Sequence, residues 1–288
     1  MREFLVVFKK EWREVVRTKK LYIFLGISIG LVVFSFLILG LLQLLASIEG
    51  LELGAELMQV FSLTYANATS VMTSFFATYF VIVIVIMLRG YMSKEVKERK
   101  WLLPLQSGIK PQYLVIARLL AITATILICA FAAFALHFIL CLIFCKPSLN
   151  FIGIDLDTGN MLYSALSVGE SIGNTLYGYA MLLIYILFIT ILTLGLNAVT
   201  KKPSAVVGIM LLAVIVLETV LSSITINIGA VEASLASFTP FLFSAQAMTK
   251  TAVHWSCWLS ASLITAGLIA LMIFLSLMLV KVKGEKIK

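Results

Sequence analysis

The chain has 288 residues, of which 61% are hydrophobic and only 12% are charged, and its mean hydropathy is +1.09. A water-soluble globular domain is about half apolar and about a quarter charged, so this composition excludes that class and indicates an integral membrane protein. The net charge of +8 would suggest a nucleic-acid ligand in a soluble protein. Membrane proteins instead concentrate cations on one face for topological reasons, and we expect no nucleic-acid partner.

The first 20 residues form a basic segment with helical periodicity. Apolar residues recur at helical spacing from Phe4 to Val16, and lysines and arginines cover the rest of the surface. This pattern predicts an amphipathic helix over residues 1–20 that lies in the inner membrane interface. A basic anchor that fixes the orientation of the chain is one interpretation of this helix.

Six apolar segments follow, and each is long enough to cross a bilayer. We find no linker of the kind that separates folded domains, so residues 1–288 are predicted to form one transmembrane domain. The predicted spans are 21–46, 69–88, 113–145, 176–199, 205–224 and 253–280.

The distribution of cations predicts the orientation. Of the 22 lysines and arginines, 20 lie in the N-terminal segment, in the loops after the second and fourth spans, or in the C-terminal tail. By the positive-inside rule both termini are cytoplasmic. The sequence shows no large outer domain and no targeting extension, so we expect a multi-pass protein of a plasma membrane, in a prokaryote.

The loop at residues 93–112 joins the second and third predicted spans. A charged stretch is followed by the apolar run WLLPL at 101–105, which is too short to span a bilayer, and then by a turn containing Gly108 and Pro111. Such a short amphipathic piece either lies on lipid or docks into a groove of a soluble partner.

The outer segment at residues 225–252 is too apolar for an ordinary solvated loop. Its stretch ASLASFTPFLFSAQA, at 233–247, carries Pro240 near its centre and few charges. We therefore predict short helices that dip back into the outer leaflet, a re-entrant hairpin between the fifth and sixth spans.

Glu95, Glu98, the apolar run from Trp101 and the cation Arg118 have a characteristic spacing. In this stretch the chain resembles the permease subunits of type-2 ABC exporters, which carry such a loop between their second and third spans. The six predicted spans, the basic N-terminal helix and the outer hairpin extend the resemblance to nearly the whole chain. The chain departs from the family pattern in the turn, where Arg99-Lys100 replaces a Gly-Thr pair and Gly108 replaces a proline.

The resemblance implies an all-α fold in which the loop forms a coupling helix and the N-terminal segment a connector helix. The coupling helix would contact a separate ATPase subunit through Glu95, Glu98, Trp101, Leu102, Leu103 and Gln106. The connector helix would include Lys10, Glu11, Trp12 and Arg17.

The resemblance also implies the function. The chain would be the membrane-spanning half of an exporter, paired with a second permease, identical or homologous, and with two copies of an ATPase that binds ATP and Mg. It would move an amphipathic peptide, a drug-like compound or a lipid out of the cytoplasm, with membrane lipid around it.

The residues themselves give no sign of catalysis. There is no G-x-x-x-x-G-K-[ST] phosphate loop and no H-E-x-x-H motif, so we expect a non-enzymatic subunit with no cofactor or metal of its own. Cys141 and Cys145 stand one helical turn apart, a spacing that suits a metal but is more often two small apolar side chains.

Ionisable residues within spans are functional candidates. Glu218 in the fifth span is predicted to face a substrate pathway or a second subunit, with a hydrogen-bonded carboxyl as the alternative. His137, near the outer end of the third span, is expected to be an interfacial histidine.

A different class is a stand-alone, ion-coupled secondary transporter or channel. Such a protein needs several intramembrane carboxylates and repeated broken helices, whereas this sequence has one convincing acid, Glu218, and no obvious repeat. A non-transporting scaffold that assembles partners through the basic loops is a third interpretation.

Overall fold

A computed structural model of the chain describes residues 2–17, 19–46, 62–89, 111–154, 161–199, 204–213, 225–228 and 231–234, and four residues near the C-terminus. The described part is mainly helical, with about six helices and two small hairpins. The helices are α1 (Arg2–Arg17), α2 (Lys19–Ala46), α3 (Tyr65–Leu88), α4 (Pro111–Phe144), α5 (Val168–Val199) and α6 (Ser204–Ala213).

Four of these helices are long and apolar enough to cross a membrane. The apolar stretches are Leu21–Leu45, Tyr65–Leu88, Ile116–Phe144 and Val168–Asn197. The first four predicted spans are therefore confirmed as membrane-length helices, and by helix length and hydropathy the chain is a multi-pass membrane protein.

The fifth and sixth predicted spans are described only in part. Helix α6 covers the beginning of the fifth, and residues 214–224 lie outside the described residues. Of the sixth span, the structure describes only the helical residues Leu263, Ala266, Gly267 and Ala270. The count of six spans, like the orientation of the termini, stays a prediction.

Helix α3 contains a turn of π-helix. Residues Tyr65–Phe75 and Val81–Leu88 are α-helical, and Phe76–Phe80 between them are π-helical. One side of this π turn lies in the core, because the side chains of Phe76 and Phe80 are both 0% exposed, whereas Tyr79 is 52% exposed.

Helices α2 to α5 form an antiparallel bundle. Helix α3 packs between α2 and α5, and α4 packs on the other side of both. Aromatic rings fill the centre: Phe134 of α4 stacks on Tyr179 of α5 with ring centroids 4.8 Å apart, and Phe24 of α2 meets Phe80 edge to face at 6.2 Å. Such aromatic contacts add to the van der Waals packing that holds membrane helices together.

One end of the bundle, here called the basic end, is formed by α1, the first turns of α2 and α4, and the last turns of α3 and α5. The opposite end carries an antiparallel hairpin of β1 (Leu149–Ile154) and β2 (Met161–Ala165), whose register pairs Leu149 with Ala165. Backbone hydrogen bonds join the chain before β1 to the start of α3, from Lys146 N to Leu63 O at 2.9 Å and from Tyr65 N to Lys146 O at 3.1 Å. The sequence did not predict these strands.

Side chains cap the first turns of α3 and α5 at this opposite end. Thr64 caps α3, since its Oγ1 accepts a hydrogen bond from Asn67 N at 3.3 Å. Ser167 and Glu170 form a capping box before α5, with Glu170 N donating to Ser167 Oγ at 3.2 Å and Ser167 N donating to the Glu170 carboxylate at 2.9 Å. These bonds satisfy backbone N–H groups that a helix start leaves without partners.

The predicted re-entrant segment begins with strands. β3 (Thr225–Ile228) and β4 (Val231–Ser234) pair as an antiparallel hairpin. The remainder of that segment, residues 235–252, lies outside the described residues.

Candidate functional site

The predicted connector helix, α1, packs on the first turns of α4. Val7, Leu114 and Ala117 are buried together, and the ring of Phe4 meets that of Tyr113 edge to face at 6.0 Å. The apolar residues of α1 recur every three or four positions, which places them on one helical face. The sequence predicted that this helix lies in the membrane interface, which stays a prediction; the structure adds that α4 covers part of its apolar face.

A buried charge cluster lies beside this apolar contact. Arg118 of α4 donates through Nη1 to the carboxylate of Glu11, and the same atom lies 3.4 Å from Oε2 of Glu14. The side chains of Arg118 and Glu11 are only 7% and 12% exposed, whereas that of Glu14 is 53% exposed. The cluster is therefore a shielded pair, Arg118 with Glu11, supported by an outer carboxylate.

Burial makes this ion pair costly to form, because both charges lose solvation. A charge removed from water loses solvation, and only a close opposite charge with hydrogen bonds compensates for it. Arg118 also stands two residues inside the apolar stretch that begins at Ile116. The guanidinium is thus tolerated there because α1 brings a carboxylate to it, and α1 in turn is held against α4 at this point.

The pair joins two elements that the sequence predicted separately. Glu11 belongs to the predicted connector helix, and Arg118 is the cation that closes the predicted coupling loop. Of the other connector residues, Trp12 packs against the core with its ring stacked on Phe8 at 6.2 Å. Lys10 and Arg17 are exposed and do not join the cluster.

The remaining predicted site residues cannot be placed beside this pair. The residues predicted to contact an ATPase, Glu95, Glu98, Trp101, Leu102, Leu103 and Gln106, lie outside the described residues, as does Glu218. Their roles stay predictions.

The chain was also compared with known proteins. No family model matches it, and the search of curated proteins returns no match. The interpretation of the site therefore rests on its own chemistry.

A second polar cluster surrounds His137, which is buried near the end of the bundle that carries the β1–β2 hairpin. Its Nδ1 is 2.5 Å from the hydroxyl of Tyr179 on α5, and its Nε2 is 3.1 Å from the backbone carbonyl of Ala68 on α3. A carbonyl oxygen only accepts, so Nε2 carries a proton; the neutral ring then accepts from Tyr179 at Nδ1. His137 is 0% exposed and bridges α3, α4 and α5; the expectation that it lies at the membrane interface stays a prediction.

Further hydrogen bonds tie α3 to α5 along their length. Thr69 and Thr175 hydroxyls lie 3.1 Å apart, and Asn197 Nδ2 donates to the carbonyl of Leu88 at 3.0 Å. These contacts were not predicted from the sequence, although a buried amide within an apolar span is a sign of an interhelical contact. Their arrangement is that of a fixed helix pair.

The thiol of Cys141 lies near the histidine, with Sγ 3.6 Å from His137 Nδ1. The described part of the chain contains no group of three or more His, Cys, Asp or Glu side chains arranged to hold a metal. Tyr179 and Ala68 are the nearer partners of the two ring nitrogens, and the thiol is a longer, weaker hydrogen-bond partner of the ring.

Proposed function

We propose that the chain is the permease subunit of an ATP-driven exporter of the type-2 ABC class. It works with two copies of a separate ATPase and with a second permease, identical or homologous. The observation that supports the proposal best is the buried pair of Glu11 with Arg118, because it joins the two elements that would receive force from an ATPase.

An ATPase moves a membrane body only if its contact surface is fixed to that body, since a loose lever would absorb the motion. The loop at 93–112 leads directly into α4 at Pro111, and α4 is joined to α1 by the Phe4–Tyr113 contact and by Glu11. A displacement of the loop would therefore carry α4 and α1 together.

Helix α4 also carries such a displacement into the bundle. Over its length it packs on α2 and α5, and its residues Phe134 and His137 contact α3 and α5. These contacts provide a continuous packed route from the basic end to the opposite end. In the proposed cycle, closure of the two ATPases on ATP opens the central pathway outward, and an amphipathic peptide, drug-like compound or lipid leaves the cytoplasm.

The proposal is tested first by purification of the tagged chain from its native membrane with identification of the proteins that co-purify. We expect an ATPase subunit near equal stoichiometry. Recovery of the chain alone, with transport that persists in ATP-depleted vesicles under an imposed ion gradient, would overturn the proposal in favour of a secondary transporter.

A variant then tests the coupling surface. In the reconstituted complex, Trp101→Ala should leave ATP hydrolysis running while transport falls roughly tenfold or more, the loss typical of an anchoring aromatic side chain worth about 2 kcal/mol. Trp255→Ala, outside the predicted coupling loop, is the matched control. Equal transport by the two variants would remove Trp101 from the ATPase contact.

A further inference from the structure

Four cations lie on the side of α1 that faces away from α4. Lys9, Lys10, Arg13 and Arg17 are all exposed, and we call them the cationic face of α1. With about 100° of rotation per residue, they share one side of the helix, opposite the residues that contact α4. They line, with Val6 and Glu14, a groove of about 430 Å³.

The cationic face lies next to the start of two apolar stretches, which places it at the edge of the membrane. Helix α1 ends at Arg17, and the apolar stretch of α2 begins four residues later, at Leu21. On α4, the partner of α1 is Arg118, just inside the apolar stretch that starts at Ile116. Two independent helices therefore place the cationic face at the level where lipid headgroups lie.

Apolar side chains accompany the cations on the exposed surface. Leu5 and Val6 of α1 are 58% and 69% exposed, and Tyr22 and Ile23 at the start of α2 are 66% and 47% exposed. Lysine and arginine stems pack along apolar surface while their charged ends reach toward phosphate groups. Exposed cations beside exposed apolar groups suit a lipid, with its anionic head and apolar tail, better than a soluble anion.

We propose that the cationic face of α1 binds the phosphate groups of anionic phospholipids. Glu11 is shielded against Arg118, and the one acid that lines the groove, Glu14, is outnumbered there by four cations. The lipid would hold the outer side of α1 as α4 holds its inner side. This inference does not depend on the proposed export function.

The experiment is a titration of the purified full-length chain with phosphatidylglycerol and with phosphatidylcholine, followed by native mass spectrometry. We expect the chain to bind phosphatidylglycerol at least roughly tenfold more tightly, since several cations near a membrane surface each add attraction. The test variant replaces the four cations: Lys9→Gln, Lys10→Gln, Arg13→Gln and Arg17→Gln. It should bind the two lipids equally.

The matched control removes the same number of charges from the C-terminal tail: Lys281→Gln, Lys283→Gln, Lys286→Gln and Lys288→Gln. It should keep the preference for phosphatidylglycerol. A smaller variant, Lys9→Gln with Arg13→Gln, should lose part of the preference and serves if the fourfold variant does not fold. An equal loss in the tail variant would overturn the proposal, because net charge alone would then explain the binding.

Competition with a soluble phosphate compound shows whether the bound phosphate belongs to a lipid. Glycerol phosphate at millimolar concentration should not displace the bound lipid. Displacement would overturn the lipid assignment in favour of a soluble anion site. Retention of the lipid preference by the fourfold variant would overturn the assignment to α1.

Discussion

Replacement of Arg118 by glutamine should release α1 from α4. The substitution keeps a polar side chain of similar length but removes the charge that Glu11 faces. Glu11 is only 12% exposed, so its carboxylate would remain shielded from water without a cation. Detachment of α1 then becomes more favourable, because it returns the Glu11 carboxylate to solvent.

The free-energy cost of this substitution follows from the burial of the ion pair. Breaking a buried ion pair by removing one partner costs about 3–5 kcal/mol, and the residual exposure of Glu11 favours the lower value. A cost of about 3 kcal/mol raises the population of the detached state roughly 100-fold. Glu14→Gln is the matched control: its carboxylate is 53% exposed and lies 3.4 Å from Arg118, and such a pair is worth at most about 1 kcal/mol, roughly fivefold.

Limited trypsin digestion measures this population. Helix α1 contains cleavage sites at Lys9, Lys10, Arg13 and Arg17, and a protease cuts a helix only when it opens. When reclosing is faster than cleavage, the cleavage rate follows the open population. Release of the N-terminal peptide, followed by mass spectrometry, should therefore accelerate roughly 100-fold in Arg118→Gln and at most roughly fivefold in Glu14→Gln.

A double variant separates the charge from the packing. Glu11→Gln combined with Arg118→Gln removes the isolated carboxylate, so cleavage should slow relative to Arg118→Gln alone. Acceleration of cleavage by the same factor in Arg118→Gln and Glu14→Gln would refute the role of burial, and cleavage of the double variant at least as fast as that of Arg118→Gln would refute the role of the isolated carboxylate.

Two further predictions concern the hydrogen bonds inside the bundle. Tyr179→Phe should lower the free energy of unfolding by about 1 kcal/mol, because His137 loses its donor but keeps its bond to Ala68. His137→Ala should lower it by about 2–4 kcal/mol, because it leaves a cavity and a hydroxyl without its partner. Thermal aggregation midpoints in detergent measure the order of the two variants, and an equal shift for both would contradict it. Asn197→Leu should cost about 1 kcal/mol by removing the donor to Leu88, and an unchanged midpoint would show that water or another group replaces it.

The four long helices could be predicted because apolar length alone determines them. A segment of more than twenty apolar residues has few other stable states in a membrane. The start of α5 was placed eight residues too late, at 176 instead of Val168, since its first two turns include Gly169, Glu170 and Gly173. Ser167 followed by Glu170 was the available sign, because a serine and a glutamate three residues apart form a capping box.

The contacts between helices could not be predicted in the same way. Glu11 and Arg118 are 107 residues apart, and only the packing of α1 on α4 makes them neighbours. His137 was recognised as unusual within an apolar span, but its environment depends on which side of α4 faces the bundle. That side is decided by the shapes of three helices, which a hydropathy pattern in one of them does not contain.

The π turn in α3 changes which spacing of apolar residues keeps them on the buried side of the helix. Met72, Phe76, Phe80, Ile84 and Leu88 stand every fourth residue, and all are at most 2% exposed. In an uninterrupted α-helix each four-residue step advances about 40° around the axis, so the last of them would point about 160° away from the first. A π turn accommodates about one additional residue per bulge without the matching rotation, which returns about 100° of that drift. Side chains at every fourth position can thus stay on the buried side of α3 over the full span, and Phe76 and Phe80 mark the place where the two α-helical parts are brought back toward the same phase.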